Sequence, residues 1–253
     1  MMMEQTKGRV RAVSKAMELI EALCSRRAPM ALQELSTAVG YPKSTVHALL
    51  ITLRDHAMVA QLPDGRYTLG IRLFECGNAV SESWDIPQAV HPILEKLSIM
   101  THASAFFSLL EDSWVISLDK VVGSDGIQIV PEVGCRLPAH ATSQGKVLLA
   151  QLSDAEVEKR LQHVGMPPFT PHTITDMPAF LAGLAVIRQR GYAVEDGEYK
   201  IGMRSVSAPV TDSTGQVRFA LGVVGLFRRV SSDEFQSAVS HVAAMVERLS
   251  DAL

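Results

Sequence analysis

Tyr41-Pro42-Lys43-Ser44-Thr45-Val46-His47-Ala48-Leu49-Leu50-Ile51-Thr52-Leu53 is the stretch on which the reading of this 253-residue chain turns. Val46, Leu49, Leu50 and Leu53 recur at intervals of three and four, the apolar stripe of a helix. Lys43, Ser44, Thr45, His47, Ala48 and Thr52 fall on the opposite face. Pro42 stands where a first helical residue belongs. Gly40 stands where the preceding helix must stop. Only Gly40-Tyr41 lies between the two helices, which is enough for a sharp corner and nothing longer.

Upstream, Val13, Ala16, Met17, Ile20, Leu23 and Cys24 are spaced as the inward stripe of a helix over 10–25. Leu32, Leu35, Ala38 and Val39 mark a short second helix. Downstream, Val59–Leu62 and Arg66–Leu69 read as strands around the turn Pro63-Asp64-Gly65. The order helix, helix, tight turn, helix, hairpin is that of a winged helix-turn-helix. Its third helix is the element that enters a major groove, with hydroxyls and helix-end amides on phosphates. His47 and Ala48 are placed to reach base edges, Ala48 only by apolar contact. Arg66 at the hairpin tip is the wing contact, and Arg9 and Arg11 reach phosphates from ahead of the first helix. A winged helix that binds protein remains open on pattern alone.

Charge is distributed unevenly. Residues 1–75 hold 10 Lys/Arg against 7 Asp/Glu; the remainder of the 24 and 27 leaves 14 against 20 for 76–253. Only the N-terminal part is biased toward an anionic partner. Cys24, Cys76 and Cys135 are far apart and odd in number, without the spacing of a zinc site or a disulfide framework. No apolar run is long enough to span a membrane, and residues 1–11 lack a signal-peptide core, so a soluble cytoplasmic protein is expected.

From about residue 70 a linking helix carries Ile71, Phe74 and Ala79, and another follows over 86–101 with Ile86, Val90, Ile93, Leu94 and Leu97 inward. Ala103–Leu110 and Trp114–Val121 read as paired strands, with a further strand at Gly126–Val130. Ser143 announces a helix over 144–151. Ser153 with Glu156 and Ser231 with Glu234 have the spacing of capping boxes for two more helices. A helix over 178–190 separates them, and strands are expected at 192–195, 204–210 and 216–225. Hairpins mixed with helices give an α+β domain around an antiparallel sheet. The expected divisions are 1–71, a linker helix 72–85, and 86–253.

Several short stretches together are similar to one family. They are Arg11-Ala12-Val13-Ser14-Lys15-Ala16, Leu32-Gln33-Glu34-Leu35, Tyr41 to His47, and Gly65-Arg66-Tyr67-Thr68-Leu69-Gly70. Leu137 to Thr142, Gly145 to Ala150, Gly191-Tyr192-Ala193-Val194 and Ala208-Pro209-Val210 continue the match. The chain resembles the isocitrate-lyase-regulator (IclR) family of bacterial transcription factors. That resemblance implies a GAF-like effector-binding domain, dimers through the N-terminal and linker helices, often tetramers, and double-stranded DNA bound at a palindromic operator. By position it carries the family's effector pocket onto Ile129, Leu137, Ser143, Gln144, Glu195, Ser205, Gly222 and Val224. Ala48 stands where the family commonly has Arg. Relatives that sense short keto acids differ at Ser143, Gln144, Glu195, Ser205, Gly222 and Val224, so their ligand does not transfer.

Read for themselves, Ser143-Gln144-Gly145 open a helix whose N-terminus suits a carboxylate. Ser143 is alternatively a helix cap, and Glu195 a solvated strand-end charge. Gly222 and Val224 remove polar groups and open space, favouring a larger carboxylic acid, aromatic among the options. No cofactor or metal is expected; His140 and Cys135 do not make a site. The main rival is an enzyme, but Gly145-Lys146 lacks the phosphate-loop spacing and no GxSxG or HExxH occurs. A sensor that has lost DNA binding is the second rival, raised by Ala48. Repression and activation are both left open.

Overall fold

The computed structural model describes residues 10–83, 90–124, 132–212 and 214–250. The chain divides into two compact units, Met1–Ile86 and Pro87–Leu253.

In the first unit, α1 (Arg11–Arg26), α2 (Leu32–Val39) and α3 (Lys43–Asp55) precede a hairpin of β1 (Val59–Gln61) and β2 (Tyr67–Leu69), then α4 (Ile71–Ser83). Leu19, Leu23, Leu35, Val46, Leu50, Val59 and Tyr67 form its core. The inward stripe of α1 is narrower than the spacing predicts. Leu19, Ile20 and Leu23 are buried, whereas Val13, Met17 and Cys24 are exposed. An apolar arc wider than one neighbour can cover leaves its second half in solvent. Gly40 ends α2 at φ 70°, a left-handed value that glycine adopts without strain. Pro42 caps α3 rather than opening it, so the corner runs Gly40–Pro42. Ser36 Oγ donates to the Tyr41 carbonyl at 2.6 Å and holds that corner. Gly70 joins hairpin to α4 where a methyl group would lie 2.0 Å from the Ala57 carbonyl oxygen. Its N–H donates to Met58, and the Arg72 N–H to Ala57.

The second unit is built on one antiparallel sheet in the order β5-β4-β3-β8-β7-β6. The strands are β3 (Ser104–Glu111), β4 (Trp114–Val121), β5 (Arg136–Pro138), β6 (Ala193–Asp196), β7 (Arg204–Thr211) and β8 (Val217–Gly225). The helices are α5 (Val90–Thr101), α6 (Ser143–Leu149), α7 (Asp154–Val164), α8 (Met177–Arg190) and α9 (Asp233–Ser250). Alternation along the strands sorts side chains onto two faces. Val115, Leu137, Ala193 and Ala220 share a core with α6, α7 and α8. The other face carries Phe107, Val206, Val210, Phe219, Leu221 and Val223, all buried, and packs against α5 and α9. β5 was not expected: three residues are too few for a periodic signal. The expected strand Gly126–Val130 lies outside the described residues.

The capping expectations need revision. Thr142, not Ser143, caps α6 through its hydroxyl to Gly145 N–H. Ser153 caps α7, but the Glu156 carboxylate pairs with Arg160 at 3.0 Å instead of closing the box. At α9 it is Ser232, one residue on from Ser231, whose hydroxyl accepts from the Phe235 N–H.

Candidate functional site

The first candidate face is the outer side of α3. Burying Val46 and Leu50 completely turns Lys43, Ser44, His47, Ala48 and Thr52 outward, with Thr45 half-buried at the edge. Thr52 Oγ1 donates back to the Ala48 carbonyl at 3.3 Å, leaving its methyl outward-facing. Ile51 is exposed in the middle of this face, a placement the sequence reading omitted. At 100° per residue it falls between His47 and Ser44, and its exposure is the signal that marks it. Arg66 is exposed at the hairpin tip, with Nε 3.8 Å from Asp64 and Nη1 3.4 Å from the Pro29 carbonyl. Met30 bridges to Tyr67, which fixes the hairpin against the α1–α2 connection. Arg11 is exposed in the first turn of α1, and Arg9 lies outside the described residues.

The second candidate site is the α6-covered face of the sheet. Register brings its residues into rows across the strands: Glu195, Ser205, Val224 and Ser104 in one, Ser207, Gly222 and Phe106 in the next. Of the expected pocket residues, Leu137, Ser143, Gln144, Glu195, Ser205, Gly222 and Val224 therefore share one face, while Ile129 lies outside the described residues. Ser143 Oγ meets Ser207 Oγ at 2.6 Å, tying α6 to β7. Glu195 is not a solvated strand end: it is 3% exposed. It accepts from Ser205 Oγ at 3.2 Å and from the Tyr199 N–H at 3.1 Å. Burial pushes its carboxyl up to about 6, opposed by the Tyr199 hydrogen bond and the Lys146 charge. Lys146 Nζ bonds the Glu198 carboxylate, both side chains buried, and donates to the Val194 carbonyl at 2.7 Å.

Gly222 does not open space. A methyl group there would lie 2.3 Å from the Val206 carbonyl oxygen, 2.5 Å from Ser207 Oγ and 2.7 Å from Phe106 Cζ. The Phe106 ring occupies the room that a larger residue 222 would need, and Val224 packs with it and Met203. His140 is a packing residue, with Nε2 3.1 Å from the Pro167 carbonyl and its ring against Phe169. Burial lowers its pKa. Among the described residues no group of three or more His, Cys, Asp or Glu is placed to hold a metal.

Comparison with known proteins fits this geometry. The model of the IclR helix-turn-helix domain matches residues 12–63, and that of the bacterial transcriptional regulator IclR C-terminal domain matches 78–251. The chain belongs to the IclR family of transcriptional regulators. The HTH-type transcriptional regulator XynR of Escherichia coli is 33% identical over 226 residues, 89% of this chain and 90% of that one. The E. coli transcriptional repressor IclR is 30% identical, covering 94% and 87%. The Thermotoga maritima IclR structure superposes with a TM-score of 0.75 at 25% identity, covering 97% and 99%. An IclR homologue from Microbacterium hydrocarbonoxydans, complexed with 4-hydroxybenzoate, gives a TM-score of 0.82 at 22% identity, covering 96% and 100%. At that identity the likeness is one of fold. In IclR terms, the exposed face of α3 belongs to the helix-turn-helix domain and the α6-covered sheet face to the C-terminal domain. No helix among the described residues is long and apolar enough to cross a membrane.

Proposed function

We propose that this chain is a ligand-responsive regulator whose dimer reads a palindromic operator, and whose DNA affinity changes when a small carboxylic acid, aromatic or aliphatic, fills the C-terminal pocket. The observation that carries the reading is the division of α3. Val46 and Leu50 are spent on the domain's own core, and a helix-long strip of lysine, hydroxyl, imidazole and apolar side chains, Ile51 among them, is left outside. Lys43, Ser44, Thr45 and Arg66 take phosphates, His47 and Ile51 face base edges, and Arg9, Arg11 and Thr52 flank them.

Dimerisation is supported by apolar surface with no cover in its own unit. Val13 and Met17 stand out on α1, and Ile71 and Phe74, each 65% exposed, on α4. For the effector, Ser143, Ser205, Ser207 and Gln144 supply donors. Glu195, able to carry a proton near pH 6, relieves the repulsion that a second carboxylate would otherwise meet. The binding domain is GAF-like, residues 86–253, joined through a linker helix to the head at 1–71, and the protein works in the cytoplasm. Coupling between the sites is of order 1–3 kcal/mol and reciprocal.

Fluorescence anisotropy on duplex DNA carrying the chain's own upstream region, across a salt series, tests the reading. Thr45→Ala and Arg66→Ala each weaken binding about tenfold, and Arg66→Ala also lowers the salt slope by about one. Wild-type protein that ignores duplex DNA at low salt overturns the proposal and leaves a sensor without DNA binding.

A further inference from the structure

Ser108 on β3 and Ser117 on β4 are direct cross-strand partners on the α6-covered face. The two strands change register after Phe107, so that Phe107 faces Asp119 while Ser108 faces Ser117. Leu118 is the extra residue, a β-bulge that sets Ser117 beside Ser108. Both serines are buried, 0% and 2% exposed, and neither hydroxyl has a hydrogen-bond partner among the described residues. Cross-strand side chains begin about 5 Å apart, so these are two orphan hydroxyls in one place. Native proteins carry few such groups, because each forfeits the hydrogen bond it made to water.

A third polar side chain points the same way. Gln144 is 5% exposed, and its side-chain amide has no hydrogen-bond partner among the described residues. Its direction follows from its neighbours on α6. Lys146 reaches β6 through the Val194 carbonyl, Ser143 reaches β7 through Ser207, and Gly145 sits against Ala139, just past β5. At 100° per residue Gln144 lies between Ser143 and Gly145. Its sector is therefore the one between β7 and β5, where β8, β3 and β4 run. The register row of Ser108 also holds Ala220, whose methyl belongs to the core that α6 covers.

We infer that Gln144, Ser108 and Ser117 form a polar subsite that holds a hydroxyl group of the effector, which makes the effector a hydroxylated acid. This rests on the carboxylic-acid reading above. A carboxylate that accepts from both serines leaves the Gln144 carbonyl oxygen without a donor, since it has no proton of its own to give. A hydroxyl both donates and accepts. The subsite stands apart from Glu195 and Ser205, which bond each other. Ser108 and Ser117 were not among the pocket residues expected from sequence: serines in a strand carry no signal until register shows them adjacent and unpartnered.

Matched probes separate the outcomes: 4-hydroxybenzoate against benzoate and D-gluconate against hexanoate, each titrated by calorimetry into full-length wild type, Ser108→Ala, Ser117→Ala and the double variant. In at least one pair the hydroxylated member binds wild type tenfold or more tightly than its partner, and the alanine variants erase that preference while duplex-DNA binding stays unchanged. Equal binding within both pairs, or a preference that survives in the double variant, overturns this inference and leaves the carboxylic-acid reading standing. Binding of none of the four overturns both. Melting without ligand is an independent check. Removing an orphan hydroxyl leaves Tm within about 2 °C of wild type or raises it, and a fall of more than about 4 °C shows that the serines are satisfied structural groups and sinks the subsite.

Discussion

The two faces of the six-stranded sheet are both buried, yet they are composed differently. Toward α5 and α9, the middle of β3, β7 and β8 is apolar throughout: Phe107, Leu109, Val206, Ala208, Phe219, Leu221 and Val223. Toward α6, the same strands carry Ser104, Ser108, Ser205 and Ser207, with Glu195 beside them on β6. Hydrophobic burial explains the first face completely. On the second it is joined by a cost, because every buried hydroxyl or carboxylate there needs a partner to offset desolvation. Both faces contribute core, but only the second carries buried polar groups whose desolvation must be offset.

The comparison can be broken by mutation. Phe107→Ala on the apolar face, where the ring stacks 4.9 Å from Phe219, should cost about 4 kcal/mol in denaturant unfolding. A loss under 1 kcal/mol would mean this face is not the main core. On the polar side, Lys146→Met leaves Glu198 buried without its cation and should cost about 3 kcal/mol, while Lys146→Met with Glu198→Leu regains at least half of it. Gly222→Ala should cost about 2 kcal/mol, because its methyl meets the Val206 carbonyl and Phe106. Gly183→Ala, in α8 with nothing within 4 Å, should instead stabilise by about 0.5 kcal/mol. Similar effects from the two glycine variants would show that the Gly222 contact relaxes freely.

The polar face also carries the pH dependence of Glu195. Its carboxyl is raised from 4.5 to about 6 in the folded chain, so the native state holds a proton that the unfolded state releases. The stability this contributes is complete below pH 4.5 and is lost as pH rises through 6, about 2 kcal/mol in all. Glu195→Gln should flatten that part of the stability curve, and an unchanged curve would place the titration elsewhere.

Much of this was legible in the sequence, and the misses have physical causes. The helix-turn-helix was readable because Gly40, Pro42 and the Val46–Leu53 stripe each impose a local geometry. The pocket's location came from resemblance, and strand register then put five of its expected residues, Leu137, Glu195, Ser205, Gly222 and Val224, on the face that α6 covers. What stayed hidden depends on neighbours distant in sequence. The room at Gly222 belongs to Phe106, the cap of α6 belongs to Thr142, and the exposure of Met17 depends on how little of α1 its partners cover. The bulge at Leu118, which pairs Ser117 with Ser108, leaves no trace in composition or periodicity.

Gly70 has a mechanical meaning beyond its tight fit. The turn that follows α3 and the first turn of α4 are joined there by the Gly70 and Arg72 amides, with no space for even one added carbon. A twist applied to α4 therefore reaches the reading helix without slack, as through a keyed shaft. One residue inserted between Leu69 and Ile71 would leave both ends of the device folded and disconnect them.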